Sequence, residues 1–159
     1  MRNKRFMPNL LLAALLILFL TGNAFAAQEM LKTNKVKVGE KVLLTETLSK
    51  ANEEGKIIVL VLLSNPMSCE KCDSLLTMLE REDERYKTDA VFLTAGGVDM
   101  LGAASEETLT LKRQYGFVTM GAPWTFFIDK EGVLRKIVIG KFSKEELEET
   151  LNDIMERKK

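Results

Sequence analysis

The hydrophobic pattern of the chain centres on seven consecutive apolar residues, Ile57 to Leu63, many of them β-branched. A run of this length and composition is typical of a strand that is buried on both faces of a sheet. Pro66 ends the run. Beyond it, Cys72, Leu75, Leu76 and Leu79 recur at helical spacing, with charged residues between them. The pattern therefore predicts a buried strand followed directly by an amphipathic helix.

The rest of the pattern predicts a run of shorter elements. They are a short edge strand around Val36, Val38 and 42–44, a helix over 48–54 that ends at Gly55, a strand over 90–94, a helix capped by Ser105, a hairpin formed by APWTFFID and VLRKIVIG, and a final helix whose Ser143 and Glu146 form a capping box. From Ile57 onward the order is β, α, β, α, β, β, α. The helix between the first two strands makes them parallel, and the last two form an antiparallel pair. The fold class is α/β, with a central mixed four- or five-stranded sheet flanked by helices on both faces.

The first 26 residues have the pattern of a secretory signal peptide. Arg2, Lys4 and Arg5 precede an unbroken apolar run over 10–20, and small residues occupy positions 24 and 26. Eleven apolar residues fall short of the roughly 20 that span a bilayer. We expect cleavage after Ala26 and a single domain over 27–159, with an uncleaved N-terminal membrane anchor as the alternative. The destination is the periplasm, or secretion more generally, where disulfides form and persist.

The composition excludes several classes of function. Of 159 residues, 46% are hydrophobic, and 23 basic residues balance 23 acidic ones. Without residues 1–26 the chain keeps 20 basic and 23 acidic residues and has no basic block. Because nucleic-acid binding leaves a basic patch, we expect no nucleic-acid partner. We expect a monomer that needs no cofactor.

The chemistry of the chain is concentrated in NPMSCEKCD, residues 65–73, which holds both cysteines, Cys69 and Cys72. A C-x-x-C pair serves as a redox couple or as a metal clamp, and Met67 adds a soft donor suited to Cu(I). The chain has no histidine, which removes a common ligand of zinc. A purely structural disulfide is a weaker reading, because so short a loop constrains the unfolded chain little. A Cu(I)-binding or delivery protein that uses M-x-C-x-x-C stays open at this point.

Three features resemble the thioredoxin-like superfamily. They are the C-x-x-C between a buried strand and a helix, Pro123 at the start of the hairpin, and the hairpin followed by a capped terminal helix. The stretch YGFVTMGAPWTFFIDKEGVLRKIVIG is similar to the secreted TlpA-like thiol-disulfide oxidoreductases. The resemblance covers roughly residues 36–156. It implies a cis peptide bond before Pro123, and a substrate strand bound by Ala122, Pro123 and Trp124, although a core role for Trp124 is an equal alternative.

The resemblance also implies a mechanism for the two cysteines. Cys69, near a helix N-terminus that favours its thiolate, is the expected nucleophile, and Cys72 is the expected resolving cysteine, less exposed than Cys69. Glu70 and Lys71 lie between them and are expected to tune the pKa of Cys69. The implied activity is thiol-disulfide exchange with secreted protein thiols and disulfides, more as reductant than as oxidant. The implied electron donor is a membrane protein of the thiol-reductase type, and a non-catalytic thioredoxin-like binding module is the alternative.

The sequence departs from the thioredoxin pattern at four places, one of which is the Glu70-Lys71 pair, where thioredoxin itself has Gly-Pro. Ser68 stands where tryptophan usually precedes the first cysteine, and Ala122 stands where threonine or isoleucine is common. Leu63, six residues before Cys69, replaces a buried acidic residue that assists proton removal from the second cysteine in the family. This last departure puts the speed of the reaction in question, but not its type.

Overall fold

The computed structural model describes residues 35–63, 70–96, 105–117 and 121–157. These residues form four helices and four strands. In chain order they are α1 (Glu46–Glu53), β1 (Ile57–Leu62), α2 (Glu70–Tyr86), β2 (Ala90–Ala95), α3 (Glu106–Gln114), β3 (Trp124–Ile128), β4 (Leu134–Ile139) and α4 (Lys144–Glu156). The predicted order from Ile57 onward is confirmed. The predicted signal peptide lies outside the described residues.

The four described strands form one mixed sheet in the order β2-β1-β3-β4. β1 pairs with β2 in parallel and with β3 in antiparallel register, and β3 and β4 form an antiparallel pair. The parallel first pair and the hairpin are therefore confirmed. β1 lies inside the sheet and all six of its residues are buried, which agrees with its unbroken apolar sequence.

The two faces of the sheet carry separate halves of the core. One face, which we call the Cys72 face, holds the odd-numbered residues of β1 and packs against α2 and α4; its buried cluster is Ile57, Val59, Val61, Leu63, Cys72, Leu75, Leu79, Tyr86, Ala90, Phe127, Leu147, Leu151 and Ile154. The even-numbered residues of β1 lie on the opposite face, since side chains alternate along a strand. There Leu62 pairs with Trp124, and Leu60 pairs with Phe126.

The strand predicted around residues 36–44 is absent from the described structure. Lys41 makes an isolated antiparallel bridge to Val133, and the Gly39 N–H donates to the carbonyl of Leu134 at 2.7 Å. Gly39 has a φ of 92°, outside the extended region. The predicted strand is therefore wrong, and this segment instead contacts the start of β4 through isolated backbone bonds. A ladder does not form there because the chain turns at Gly39.

Side chains fix the ends of the elements that follow β2. Ser143 accepts from the Glu146 N–H at 3.2 Å, while Glu146 accepts from the Ser143 N–H at 2.7 Å, so the predicted capping box is confirmed. Ser105 caps α3 as predicted. In the β3–β4 turn, Asp129 Oδ1 accepts from two backbone N–H groups, those of Glu131 and Val133.

Across the described stretches, no helix combines the length and apolar character needed to cross a bilayer.

Candidate active site

Cys72 is the third residue of α2, and its side chain is only 1% exposed. It is disulfide-bonded. The other cysteine of the chain, Cys69, lies outside the described residues, as do Met67 and Ser68. Glu70 and Lys71 are the first two residues of the helix. Cys72 is thus buried at the start of a helix, while its resolving role, the relative exposure of Cys69 and the tuning by Glu70 and Lys71 stay predictions.

The chain segments that surround this helix start meet at one end of the sheet. β1 ends at Leu62, opposite Trp124 at the start of β3, and Trp124 in turn lies opposite Ile139 at the end of β4. The Leu63 N–H donates to the Ala95 carbonyl at 3.0 Å, which continues the β1–β2 pairing. The Gly140 N–H donates to the Pro123 carbonyl at 2.8 Å. The end of β1, which leads toward the C-x-x-C in sequence, and Pro123 therefore lie at the same end of the sheet.

Pro123 is buried, but the peptide bond before it is trans. The predicted cis bond is therefore wrong. The trans form is intrinsically favoured for an X–Pro bond by about 0.5–1 kcal/mol, and residue type alone does not override that preference. This removes one implication of the resemblance. The placement of Ala122 and Pro123 beside the end of β1 is unaffected, and their contact with a substrate strand stays a prediction.

Trp124 has no exposed surface, and it lies on the face of the sheet opposite Cys72. Its ring packs edge-on against Phe117, with ring centroids 5.8 Å apart, and at a tilt against Phe126 at 6.3 Å. Its Nε1 is buried and donates no hydrogen bond to any of the described residues. In this structure Trp124 has the core role and not the role of a substrate contact. The alternation of side chains along β3 is the reason, because it points residues 124 and 125 to opposite faces.

Leu63 occupies the position of the missing acid and is fully buried on the Cys72 face. Gly96 approaches it closely: a Cβ on Gly96 would lie 2.4 Å from the Leu63 Cβ and 2.9 Å from its carbonyl oxygen. The end of β1 is thus held by backbone packing from β2. The glycine has no sequence signature that marks this contact, and the sequence did not predict it.

Thr125 is a second feature that the sequence did not predict. It is fully buried, and none of the described residues forms a hydrogen bond with its Oγ1. In β3 it pairs with Val61 of β1 and Val138 of β4. A threonine in a strand is unremarkable in sequence because it favours strands in any case. Its isolation from polar partners becomes visible only in the folded structure.

A buried carboxylate anchors α2 against α4 on the same face. Glu82 is 4% exposed, and its carboxylate contacts Lys144 Nζ at 2.6 Å and Arg85 Nη1 at 3.3 Å. The hydrogen bond from Lys144 is the main reason that the pKa of Glu82 lies below its ordinary value of 4.5, and Arg85 adds to the effect. Arg85 and Lys144 also contact Glu148 of α4. The helix that carries Cys72 is therefore tied to α4 as well as to the sheet.

Within the described ranges, no three acidic, cysteine or histidine side chains gather as they would around a metal ion. The Cu(I) alternative depends on Met67 and Cys69, which lie outside those ranges. It stays an alternative that a binding experiment decides.

No family model matches this sequence, and no curated protein sequence matches it. Several solved structures, however, match this chain. The pneumococcal exposed lipoprotein thioredoxin from Streptococcus pneumoniae matches with a TM-score of 0.51 at 24% identity, over 65% of this chain and 88% of that one. A thiol:disulfide interchange protein of the thioredoxin family from Chlorobium tepidum matches with a TM-score of 0.51 at 16% identity, over 67% and 84% of the two chains.

A third match is the reduced 2-Cys peroxiredoxin from Plasmodium vivax. Its TM-score is 0.56 at 11% identity, over 74% of this chain and 96% of that one. All three identities are too low to carry residue roles across, but the shared architecture is clear. The chain has a thioredoxin-like fold, an α/β structure with a mixed sheet between helices, as the sequence predicted.

Proposed function

We propose that this chain is a thiol-disulfide oxidoreductase that acts on secreted protein thiols and disulfides outside the cytoplasm. The observation that carries the proposal is the position of Cys72. It is a buried cysteine in the first turn of the helix that follows the interior strand of a thioredoxin-like sheet. Its only cysteine neighbour in sequence, Cys69, completes a C-x-x-C. The thioredoxin-like architecture of the matched structures supports a redox role in general terms.

In the proposed cycle Cys69 is the nucleophile. Its thiolate attacks a substrate disulfide, forms a mixed disulfide and releases one substrate thiolate. Cys72 then attacks the Cys69 sulfur, so that the enzyme disulfide forms and the second substrate thiol leaves. The substrate is reduced by two electrons and the enzyme is oxidised by two. The deep burial of Cys72 supports this division of roles, because substrates would meet the other cysteine first.

Reductant duty outside the cytoplasm requires a source of electrons. We propose a membrane thiol reductase as that donor, with the chain either released after Ala26 or held by an uncleaved N-terminal segment. The apolar run over 10–20 and the basic residues before it support export. Fractionation of cells that produce the full chain, with mass analysis of its N-terminus, distinguishes the released form from the anchored one.

The activity is tested with reduction of insulin by dithiothreitol, catalysed by residues 27–159. We expect turnover by the wild type, none by Cys69→Ser, and accumulation of a mixed disulfide by Cys72→Ser, because that variant can attack but cannot resolve. No turnover by a wild type whose cysteines cycle freely would favour the binding-module alternative. Retention of Cu(I) against a competing chelator, without exchange activity, would favour the copper alternative.

The direction of the reaction follows from the reduction potential of the Cys69–Cys72 couple, measured against glutathione or dithiothreitol buffers. A value near about −270 mV supports the proposed reductant role. A value near about −120 mV identifies an oxidant and contradicts it.

A further inference from the structure

The Thr125 hydroxyl is buried at a position where none of the described residues forms a hydrogen bond with it. The residue has no exposed surface, and Oγ1 has no hydrogen-bond partner. Burying a hydroxyl without a partner costs free energy, whereas valine would fill the same space at no such cost. The paired residues on both neighbouring strands, Val61 and Val138, are in fact valines. A hydroxyl at this point therefore calls for a partner that the described residues do not offer in this structure.

The register of the sheet places Thr125 on the Cys72 face. Thr125 pairs with Val61, which belongs to the buried cluster that also contains Leu63, Cys72 and Phe127. Residues paired across antiparallel strands project to the same side of the sheet. Thr125 therefore lies on the side that α2 covers, and its neighbours within the sheet are apolar.

The direction of α2 brings Cys72 to the same end of that face. α2 ends at Tyr86, whose carbonyl accepts from the Asp89 N–H, and the Asp89 carbonyl accepts from Ile57 at the start of β1. The end of α2 thus lies at the start of β1, so the first turn of α2 lies over the end of β1. Val61, opposite Thr125, is the last but one residue of that strand.

Three charged side chains on this face are engaged with other groups. Glu82 of α2 is paired with Lys144 of α4, and Lys136 Nζ of β4 donates to Thr150 Oγ1 at 2.8 Å. Leu63 supplies no acid. On the described part of this face, the Thr125 hydroxyl is a buried polar group without a hydrogen-bond partner, and Val61 beside it belongs to the same cluster as Cys72.

We propose that the Thr125 hydroxyl donates a hydrogen bond to the Cys72 sulfur once the disulfide is opened, and that it thereby stabilises the thiolate that closes the cycle. This inference rests on the proposed function for its catalytic meaning. The Cys72 thiolate attacks the Cys69 sulfur of the mixed disulfide, the bond between Cys69 and the substrate breaks, and the substrate sulfur takes up the proton that Cys72 gave up. The hydroxyl keeps its own proton throughout, so it replaces the missing acid as a donor and not as a base.

The test is the pKa of Cys72 in a Cys69→Ala background, followed by the ¹³Cβ chemical shift of labelled cysteine. A hydrogen bond to a charged group corresponds to roughly one to two pKa units. We therefore expect Thr125→Val to raise the pKa of Cys72 by about that amount, and Thr125→Ser to keep it near the wild-type value. Thr150→Val, a buried threonine of α4 whose hydroxyl has partners, is the matched control and should leave this pKa unchanged.

No shift in Thr125→Val, or an equal shift in Thr125→Ser, overturns the proposal, because the hydroxyl would then not be the cause. If Thr125→Val does not fold, Thr125→Ala removes the same hydroxyl without adding a methyl group, and the same criterion applies to it.

With both cysteines present, resolution of the mixed disulfide in Thr125→Val should slow by roughly threefold for each unit that the pKa of Cys72 rises, since a more basic thiolate is also more nucleophilic. The deficit should shrink as the pH rises. A pH-independent deficit points to misplaced sulfurs and contradicts the proposal. The titration needs no turnover, so a pKa shift in a chain without exchange activity would uphold the contact and reject the proposed function alone.

Discussion

Replacement of Gly96 by alanine should loosen the end of β1 that leads into the C-x-x-C stretch. The added Cβ would lie 2.4 Å from the Leu63 Cβ, 2.9 Å from the Leu63 carbonyl oxygen and 3.0 Å from the Leu63 Cα. Carbon atoms in contact prefer about 3.5–4.0 Å. The clashing atoms belong to or adjoin the backbone, so no side-chain rotation relieves them, and β1 and β2 must move apart.

Two effects of the Gly96→Ala substitution lower the free energy of unfolding, and a third offsets part of the loss. Overpacking of a tight contact typically costs about 1–3 kcal/mol. Separation of the strands weakens the bond from the Leu63 N–H to the Ala95 carbonyl, 3.0 Å long, and a bond of this kind contributes about 0.5–1.5 kcal/mol. The lower entropy of the unfolded alanine chain offsets about 0.4–1 kcal/mol. We expect a net loss of about 1–3 kcal/mol in the free energy of unfolding.

Urea denaturation followed by the fluorescence of Trp124, the single and fully buried tryptophan, measures this loss. With a slope of about 2 kcal/mol per molar urea, the midpoint should fall by roughly 0.5–1.5 M. Gly55→Ala is the matched control. Gly55 has a φ of 68° and nothing within 4 Å of an added Cβ, so alanine there costs backbone strain without a clash.

The two variants should differ in cysteine chemistry, which separates a local effect from a general one. Gly55 precedes the start of β1, whereas Gly96 contacts its end. Gly96→Ala should change the rate at which dithiothreitol reduces the disulfide of Cys72, and Gly55→Ala should not. An unfolding free energy for Gly96→Ala equal to or above that of the wild type would refute the steric reasoning.

Two further predictions concern charged groups that hold the scaffold. The folded-state pKa of Glu82 lies below its ordinary 4.5, so its stabilising effect is present above that value and is lost as the pH falls through the lower one. Glu82→Gln should accordingly flatten the acid limb of a plot of unfolding free energy against pH, and a limb parallel to the wild type would contradict this. Asp129→Ala removes the acceptor of two turn N–H groups, at 2.9 and 2.8 Å, and should cost about 2–4 kcal/mol in urea denaturation. Asp129→Asn keeps one oxygen acceptor and should cost less; equal losses would show that the turn bonds are not the cause.

The sequence predicted the sheet well because its strongest signals were tied to burial. A seven-residue apolar run rich in β-branched residues favours an interior strand, and the capping box after the hairpin indicates where the last helix begins. The same reasoning failed around Val36 and Val38, where one backbone angle at Gly39 interrupts pairing that the side chains favour. It failed again at Pro123, because cis and trans isomers differ by a small free energy that residue identity does not settle.

At the candidate site, too, some residues could be identified from the sequence and others could not. Cys72 could be singled out as a candidate from its spacing to Cys69, since a C-x-x-C pair is recognisable in sequence. Thr125 could not, because a threonine in a strand is ordinary until both its burial and its lack of a partner are known. From its place beside Pro123, Trp124 could be either a substrate contact or a core residue. Only the register of β3 reveals that it faces away from Cys72.

The register of β3 makes the candidate site depend on residues that are distant from it. Adjacent residues of β3 present an aromatic ring to one face and a hydroxyl to the other, so a slip of one position would exchange Trp124 and Thr125. The irregularity in pairing at Phe127 and Ile128, and the turn that Asp129 holds, lie at the far end of the strand and set its phase. A substitution in that turn can therefore change which residue of β3 lies on the Cys72 face, although the turn is far from Cys72. When sequences of this kind are compared, the cysteine motif and the β3–β4 turn should be considered together.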